Sequence, residues 1–175
     1  MAEASRPGSQ TSDARSSGGR RQSAVFQTNV CTFRLGGRSF ALDVAIVGEV
    51  VSITTIVAVP LAQPSVRGLF NLRGTPVPLI DLSSLIDSHA GPPLEKPGVA
   101  LVVRSHDMTV GLPVDHLDGV VSAGRGTFVP SDAAEEHPIV QGFLELEGHP
   151  IVTILEPRAL IERLSAMKYL KPNED

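Results

Sequence analysis

The chain has 175 residues, 42% of them apolar and 19% charged, with a formal net charge of −4 and one cysteine, Cys31. That composition describes one globular domain, or two small ones sharing a core, and a single cysteine excludes a disulfide framework or a thiolate zinc site. Apolar runs are broken by Gly, Pro or a charge well short of the ~20 residues of a membrane span. The N-terminus also has no apolar stretch of the signal-peptide kind, so the expectation is a cytoplasmic protein without direct membrane insertion.

Charge is unevenly spread. Residues 1–24 hold Arg6, Arg15, Arg20 and Arg21 against Glu3 and Asp13, a net of +2, which leaves −6 on the remainder. An acidic body with one tyrosine and no tryptophan argues against nucleic acid as a partner, by either backbone contact or base stacking.

In chain order, residues 1–26 are rich in Ser, Gly, Arg and Gln and have little to bury, which predicts a disordered tail. Residues 27–170 form the folded part, and 171–175 a second short tail. Val30–Leu35 and Ser39–Leu42 read as a hairpin around Gly36-Gly37, with Cys31 and Phe33 on one face, in the core. Residues 43–48 predict a short helical turn capped by Asp43. Glu49–Ile53 and Ile56–Val59 are β-branched and strand-like. A Pro-rich loop, Pro60 to Pro64, leads into Gly68-Leu-Phe-Asn-Leu-Arg-Gly-Thr-Pro-Val-Pro-Leu-Ile-Asp-Leu82. Two apolar runs there flank Arg73-Gly74-Thr75-Pro76, a hairpin or strand corner. Alternation places Leu69, Asn71 and Arg73 on one face and Phe70 and Leu72 on the other. Pro76 and Pro78 withhold N–H groups, which suits an edge strand or a corner. Asp81 caps a helical turn to Ile86. A joint near 87–98, with its prolines, separates the halves. Val99–Val103, Met108–Leu112 and Leu117–Val121 are strands, 122–138 is a polar loop, and Glu156-Pro157 opens a helix. Leu160, Ile161, Leu164 and Met167 form that helix's apolar stripe, which docks on the body.

The two halves repeat. Gly142-Phe-Leu-Glu-Leu-Glu-Gly-His-Pro-Ile-Val-Thr-Ile154 matches the Gly68 stretch without a gap at an offset of 74. That alignment sets Gly68 on Gly142, Leu72 on Leu146, Gly74 on Gly148, Pro76 on Pro150, Val77 on Ile151 and Ile80 on Ile154. Upstream, Phe40–Val44 and Val47–Val51 return as Val110–Val114 and Leu117–Val121 at an offset of 70. Two copies of a β-rich unit predict an all-β molecule: two small, roughly five-stranded barrels packed together, with a C-terminal helix. Barrels of that size fill with side chains, so ligands meet the outside or the groove between halves.

Chemistry is hard to find. His89, His106, His116, His137 and His149 stand singly, without metal-ligand spacing. No nucleophile elbow, phosphate loop or aspartic-protease motif is present. His116 lies beside Asp115 and Asp118 but no nucleophile accompanies it. The expectation is no enzyme, no cofactor and no metal. Glu49, Asn71 and Arg73 do stand out. Arg73 is read either as an ion pair with Glu49 tying the hairpin to a neighbouring strand or as part of a protein-binding surface; the two readings are compatible.

The stretch Val66-Arg-Gly-Leu-Phe-Asn-Leu-Arg-Gly-Thr-Pro-Val-Pro-Leu-Ile-Asp-Leu82, with Phe40-x-Leu-x-Val44, Val47-x-Glu49-Val50, Val114-Asp115, Ile139-x-x-Gly142 and Ile151-x-x-Ile154, resembles the signature of the CheW family. These are adaptor proteins of bacterial chemosensory arrays, and the domain also forms the regulatory end of the CheA histidine kinase. The resemblance covers about residues 28–165. It implies two intertwined SH3-like five-stranded barrels without catalysis, coupling a chemoreceptor's cytoplasmic tip to the kinase regulatory domain and regulating the kinase in arrays at the membrane. It also implies a coupling surface of Val47, Glu49, Arg67, Gly68, Asn71, Arg73 and Gly74, with Phe143 to Glu147 as its counterpart. Departures are the acidic Glu145, Glu147, Glu135 and Glu136, the Leu112-Pro113 pair and the long tail. They keep open a divergent scaffold that binds receptors but not the kinase. An SH3-like peptide-binding module outside chemosensing lacks the aromatic groove, and a small hydrolase lacks its motifs.

Overall fold

A computed structural model of the chain describes residues 28–86, 98–105, 108–132, 137–148 and 150–167. The tails, the joint near 87–98 for all but Gly98, Glu135, Glu136, His89, His106 and His149 lie outside the described residues. Strands β1 (Asn29–Leu35) and β2 (Arg38–Asp43) form the first hairpin. The expected helical turn after it is a tight turn instead. Asp43 Oδ1 accepts from the Ala45 N–H at 2.8 Å, and β3 (Val47–Ser52) already begins at Val47. The Ile56–Val59 segment is not a strand; only Val57 pairs, in an isolated antiparallel bridge to Leu69.

β4 (Val66–Leu72) and β5 (Thr75–Ile80) make the second hairpin, followed by helix α1 (Leu82–Ile86). The second half supplies β6 (Val99–Ser105), β7 (Met108–Val114), β8 (His116–Ser122), β9 (Thr127–Pro130), β10 (Val140–Glu145), β11 (Val152–Leu155) and helix α2 (Pro157–Ser165). β9 lies inside what the sequence reads as a loop. It is four residues long, bounded by Gly126 and Pro130, and turns only Phe128 into the core, so it has no alternation to read.

Two sheets result, in the orders β8-β1-β2-β11-β10-β9 and β3-β6-β7-β5-β4, six- and five-stranded. The Val57–Leu69 bridge stands on β4 where β9 stands on β10. Replacing each strand by its repeat counterpart turns one order into the other. The first-half hairpin β1–β2 therefore sits among second-half strands, and β6–β7 among first-half strands. The halves are intertwined by exchange of hairpins. Registers obey the same symmetry: Glu49 opposes Val102 as Gly119 opposes Thr32, and both ladders shift at that place.

The ungapped match of the hairpins does not survive. Phe70 opposes Val77 in β4–β5, whereas Leu144 opposes Val152 in β10–β11. The second turn thus holds one extra residue, and Val77 corresponds to Val152 and Ile80 to Leu155. Ile151 is 60% exposed where Val77 is 2% exposed, as a one-residue slip in a period of two requires. β5 lies between β7 and β4 and not at an edge, but Pro76 and Pro78 precede its one register pair with β7, Leu79 to Gly111, so their missing N–H groups break no ladder on that side.

Burial falls into three layers. Ile53, Phe70, Val77, Leu79, Ala100 and Val102 fill one barrel. Val30, Ala41, Phe128, Leu144, Val152 and Ile154 fill the other. The largest cluster lies between them, where Cys31, Phe33, Leu101 and Val103 meet Leu160 and Leu164 of α2. β1 and β6 are buried on both faces for this reason: alternate residues point into a barrel and into the layer between barrels.

Candidate protein-binding site

The β4–β5 hairpin turns on two residues, Arg73 and Gly74, because Leu72 opposes Thr75. Both have positive φ, 51° and 92°, the sign pattern of a type I′ turn. Gly accepts that conformation freely, whereas an arginine is held there at a cost of roughly 1–2 kcal/mol. Asn71 Oδ1 accepts from the Gly74 N–H at 2.7 Å and closes the turn from within. The guanidinium of Arg73 then reaches across to β3, where its Nη2 donates to Glu49 Oε2 at 2.8 Å. This ion pair joins the hairpin tip to the strand at the far end of the sheet order. Glu49 is 18% exposed at its side chain and Arg73 80%, so one partner is held and the other presented.

Arg104, at the outward end of β6, escaped the reading from sequence. Its Nη2 donates to Glu49 Oε1 at 2.5 Å. The signal available was the repeat itself, which places Arg104 on Arg34. What the sequence does not contain is the β3–β6 register that brings Arg104 beside Glu49.

The other expected residues divide. Val47 is half-buried against the layer between barrels. Arg67 faces inward and forms an ion pair with Asp81, with side chains only 15% and 7% exposed. Asp81 also caps α1, its Oδ1 accepting from the Ser83 N–H at 3.0 Å. Gly68 is buried with φ 140°, and a Cβ there would lie 2.6 Å from the Val57 carbonyl oxygen and from Ile56 Cγ2. Its role is to let Val57 approach Leu69, which exchange N–H···O bonds of 2.8 Å in both directions. The presented group is therefore Asn71, Arg73, Gly74 and Arg104, with Glu49 held beneath the two arginines. A shallow groove of about 380 Å³ runs beside it, lined by Val57, Leu69, Phe70, Asn71, Gly74 and Pro76.

The second barrel has the same hairpin with different chemistry. Phe143 is 39% exposed, Glu145 and Glu147 are exposed, and Gly119 stands where Glu49 stands. Arg34 pairs there with Asp118 at 3.2 Å, and His116 lies 3.6 Å from the same carboxylate. Among the described residues no group of three or more His, Cys, Asp or Glu side chains is placed to hold a metal ion. Burial pushes the Cys31 thiol above its usual range, which disfavours the reactive thiolate.

Residues 29–165 match the CheW-like domain. The chain belongs to that family. Among its relatives is protein PilI of Pseudomonas aeruginosa, 31% identical over 144 residues that cover 81% of this chain and 79% of PilI. The chemotaxis protein CheW of Rhizobium meliloti is 29% identical over 125 residues, 70% of this chain and 80% of the relative. The crystal structure of the scaffolding protein TtCheW from Thermoanaerobacter tengcongensis superposes with a TM-score of 0.61 at 22% identity, over 74% of this chain and 89% of that one. This likeness shows that the paired barrels are the CheW-like fold.

Proposed function

We propose that this CheW-like protein is a non-catalytic adaptor that couples the cytoplasmic tip of a chemoreceptor to the regulatory domain of a CheA-type histidine kinase. The observation that supports it most is the tip of the β4–β5 hairpin. An arginine is held there in a strained backbone conformation, anchored by Glu49, and left four-fifths exposed. Structural duty alone does not call for an exposed arginine at a position that glycine fills without strain. The working surface is Glu49, Asn71, Arg73 and Gly74, with Val47 behind it. Arg67 and Gly68 act from beneath by fixing β4 and the Val57 segment. Each contact of such an adaptor is modest, and holding receptor and kinase together raises the effective concentration of each for the other. Influence on kinase activity follows if the adaptor binds the active and inactive arrangements unequally.

A second reading, a scaffold that binds receptors but not the kinase, is favoured by the acidic second hairpin, where Glu147 replaces arginine and Gly119 replaces glutamate. Capture assays with a receptor tip fragment and with the kinase regulatory domain separate the two. The adaptor captures both and the divergent scaffold only the receptor; capture of neither removes both readings.

A further inference from the structure

Glu49 is shared. Its two carboxylate oxygens are used separately, Oε2 by Arg73 at 2.8 Å and Oε1 by Arg104 at 2.5 Å. One negative charge thus faces two positive ones, an excess of +1 among the described residues of the cluster. The carboxylate lies underneath, 18% exposed, while the side chains of Arg73 and Arg104 are 80% and 51% exposed. A guanidinium has five N–H donors in a planar fork, and the bonds to Glu49 use one on each. The open sides of two such forks on one exposed end favour a carboxylate.

Arg104 lies across Gly48 on its way to Glu49, so a side chain at residue 48 would displace it from its present path. A Cβ on Gly48 would lie 2.8 Å from Arg104 Cδ and 2.8 Å from its Nε. The pseudo-symmetric barrel shows the alternative. There Asp118 occupies the place of Gly48, Arg34 that of Arg104 and Gly119 that of Glu49. One arginine, Arg34, meets one carboxylate there, Asp118 at 3.2 Å, with His116 3.6 Å from the same oxygen. Among the described residues, two arginines sharing one carboxylate is therefore a feature of the first barrel, next to the apolar groove of Val57, Leu69 and Pro76.

We propose that Arg73 and Arg104 form a carboxylate-reading pair: a partner protein sets an Asp or Glu between the two guanidiniums while an apolar neighbour of that residue enters the groove. Arg104 and Gly48 thereby become specificity-determining residues of the docking surface. The proposal rests on the adaptor reading for the identity of the partner and adds the chemistry by which that partner is recognised.

The test is the dissociation constant of the full chain for each of two probes, a chemoreceptor cytoplasmic tip fragment and the CheA regulatory domain, over a range of ionic strength. Arg104→Gln should weaken binding to at least one probe roughly tenfold, the value of a hydrogen bond to a charged group, and flatten its salt dependence. Gly48→Gln should do the same with the net charge unchanged, because it displaces Arg104 from its path to Glu49. Arg34→Gln, at the corresponding place of the other barrel, should leave affinity for that probe unchanged. Wild-type affinity and salt dependence in both Arg104→Gln and Gly48→Gln overturn the proposal and leave the adaptor reading standing. An equal loss in Arg34→Gln also overturns it, as that reports general charge. Failure of the wild-type chain to bind either probe overturns the adaptor reading and this proposal with it.

Discussion

Arg73 does two things that are usually separable. It occupies a left-handed position, φ 51°, and it pairs with Glu49. An ion pair with one partner 80% exposed contributes about 0–1 kcal/mol, comparable to the strain released if glycine replaced arginine. Arg73→Gly is therefore expected to leave the melting temperature within a few degrees of wild type while removing binding to the receptor tip or kinase domain. Thermal melts and binding measured on the same preparation check it. A large drop in melting temperature would assign Arg73 to stability instead. Cys31 makes the opposite case. It is 3% exposed in the layer between barrels, and burial holds the thiol in its protonated form. Thiol-specific reagents are expected to modify it only after denaturant unfolds the chain, a difference that a colorimetric thiol assay reads directly.

At the scale of elements, the two β-hairpins of the repeat differ in what holds them. β4 is tied to α1 by the ion pair of Arg67 with Asp81, nearly dry at 15% and 7% exposure. The matching positions on β10 and before α2 are Gln141 and Glu156, and among the described residues the buried Gln141 Oε1 has no hydrogen-bond partner. Arg67→Ala leaves Asp81 buried beside α1, so it should cost about 3–5 kcal/mol, visible as a lower denaturant midpoint. The corresponding Gln141→Ala should cost far less. This is also where the sequence was legible and where it was not. Strong alternation and turn residues placed β1, β2, β4, β6, β7 and the stripe of α2. Glu49 and Arg73 were paired correctly from their chemistry and the hairpin. The Arg67–Asp81 pair was not foreseen, because both residues also belong to the family signature and motif membership does not say which way a side chain points. β9 was missed because one inward Phe128 makes no pattern. The extra residue in the β10–β11 turn was missed because Ile151 and Val152 are both apolar, and only strand register tells which faces inward.

At the scale of the molecule, exchange of hairpins makes each barrel depend on both halves of the chain. β1–β2 completes the sheet of β8 to β11, and β6–β7 completes that of β3 to β5. A chain divided within residues 87–97 should therefore give two fragments that are unfolded alone and fold when mixed, which circular dichroism of the separate and combined fragments would show. Independent folding of either fragment would mean that the exchange is not obligatory. The repeat predicts paired barrels, but not the exchange, since two separate barrels and two intertwined ones have the same internal repeat; the family resemblance supplied that distinction.

The most direct test of the coupling function is co-sedimentation of the CheA-type kinase with vesicles carrying receptor cytoplasmic tips, with wild-type protein, with Arg73→Gly, and with no adaptor. Kinase is expected in the pellet with the wild-type chain and to remain in the supernatant in the other two cases. Equal sedimentation with the wild-type chain and without it, or full recruitment by Arg73→Gly, would contradict a coupling role centred on the β4–β5 tip.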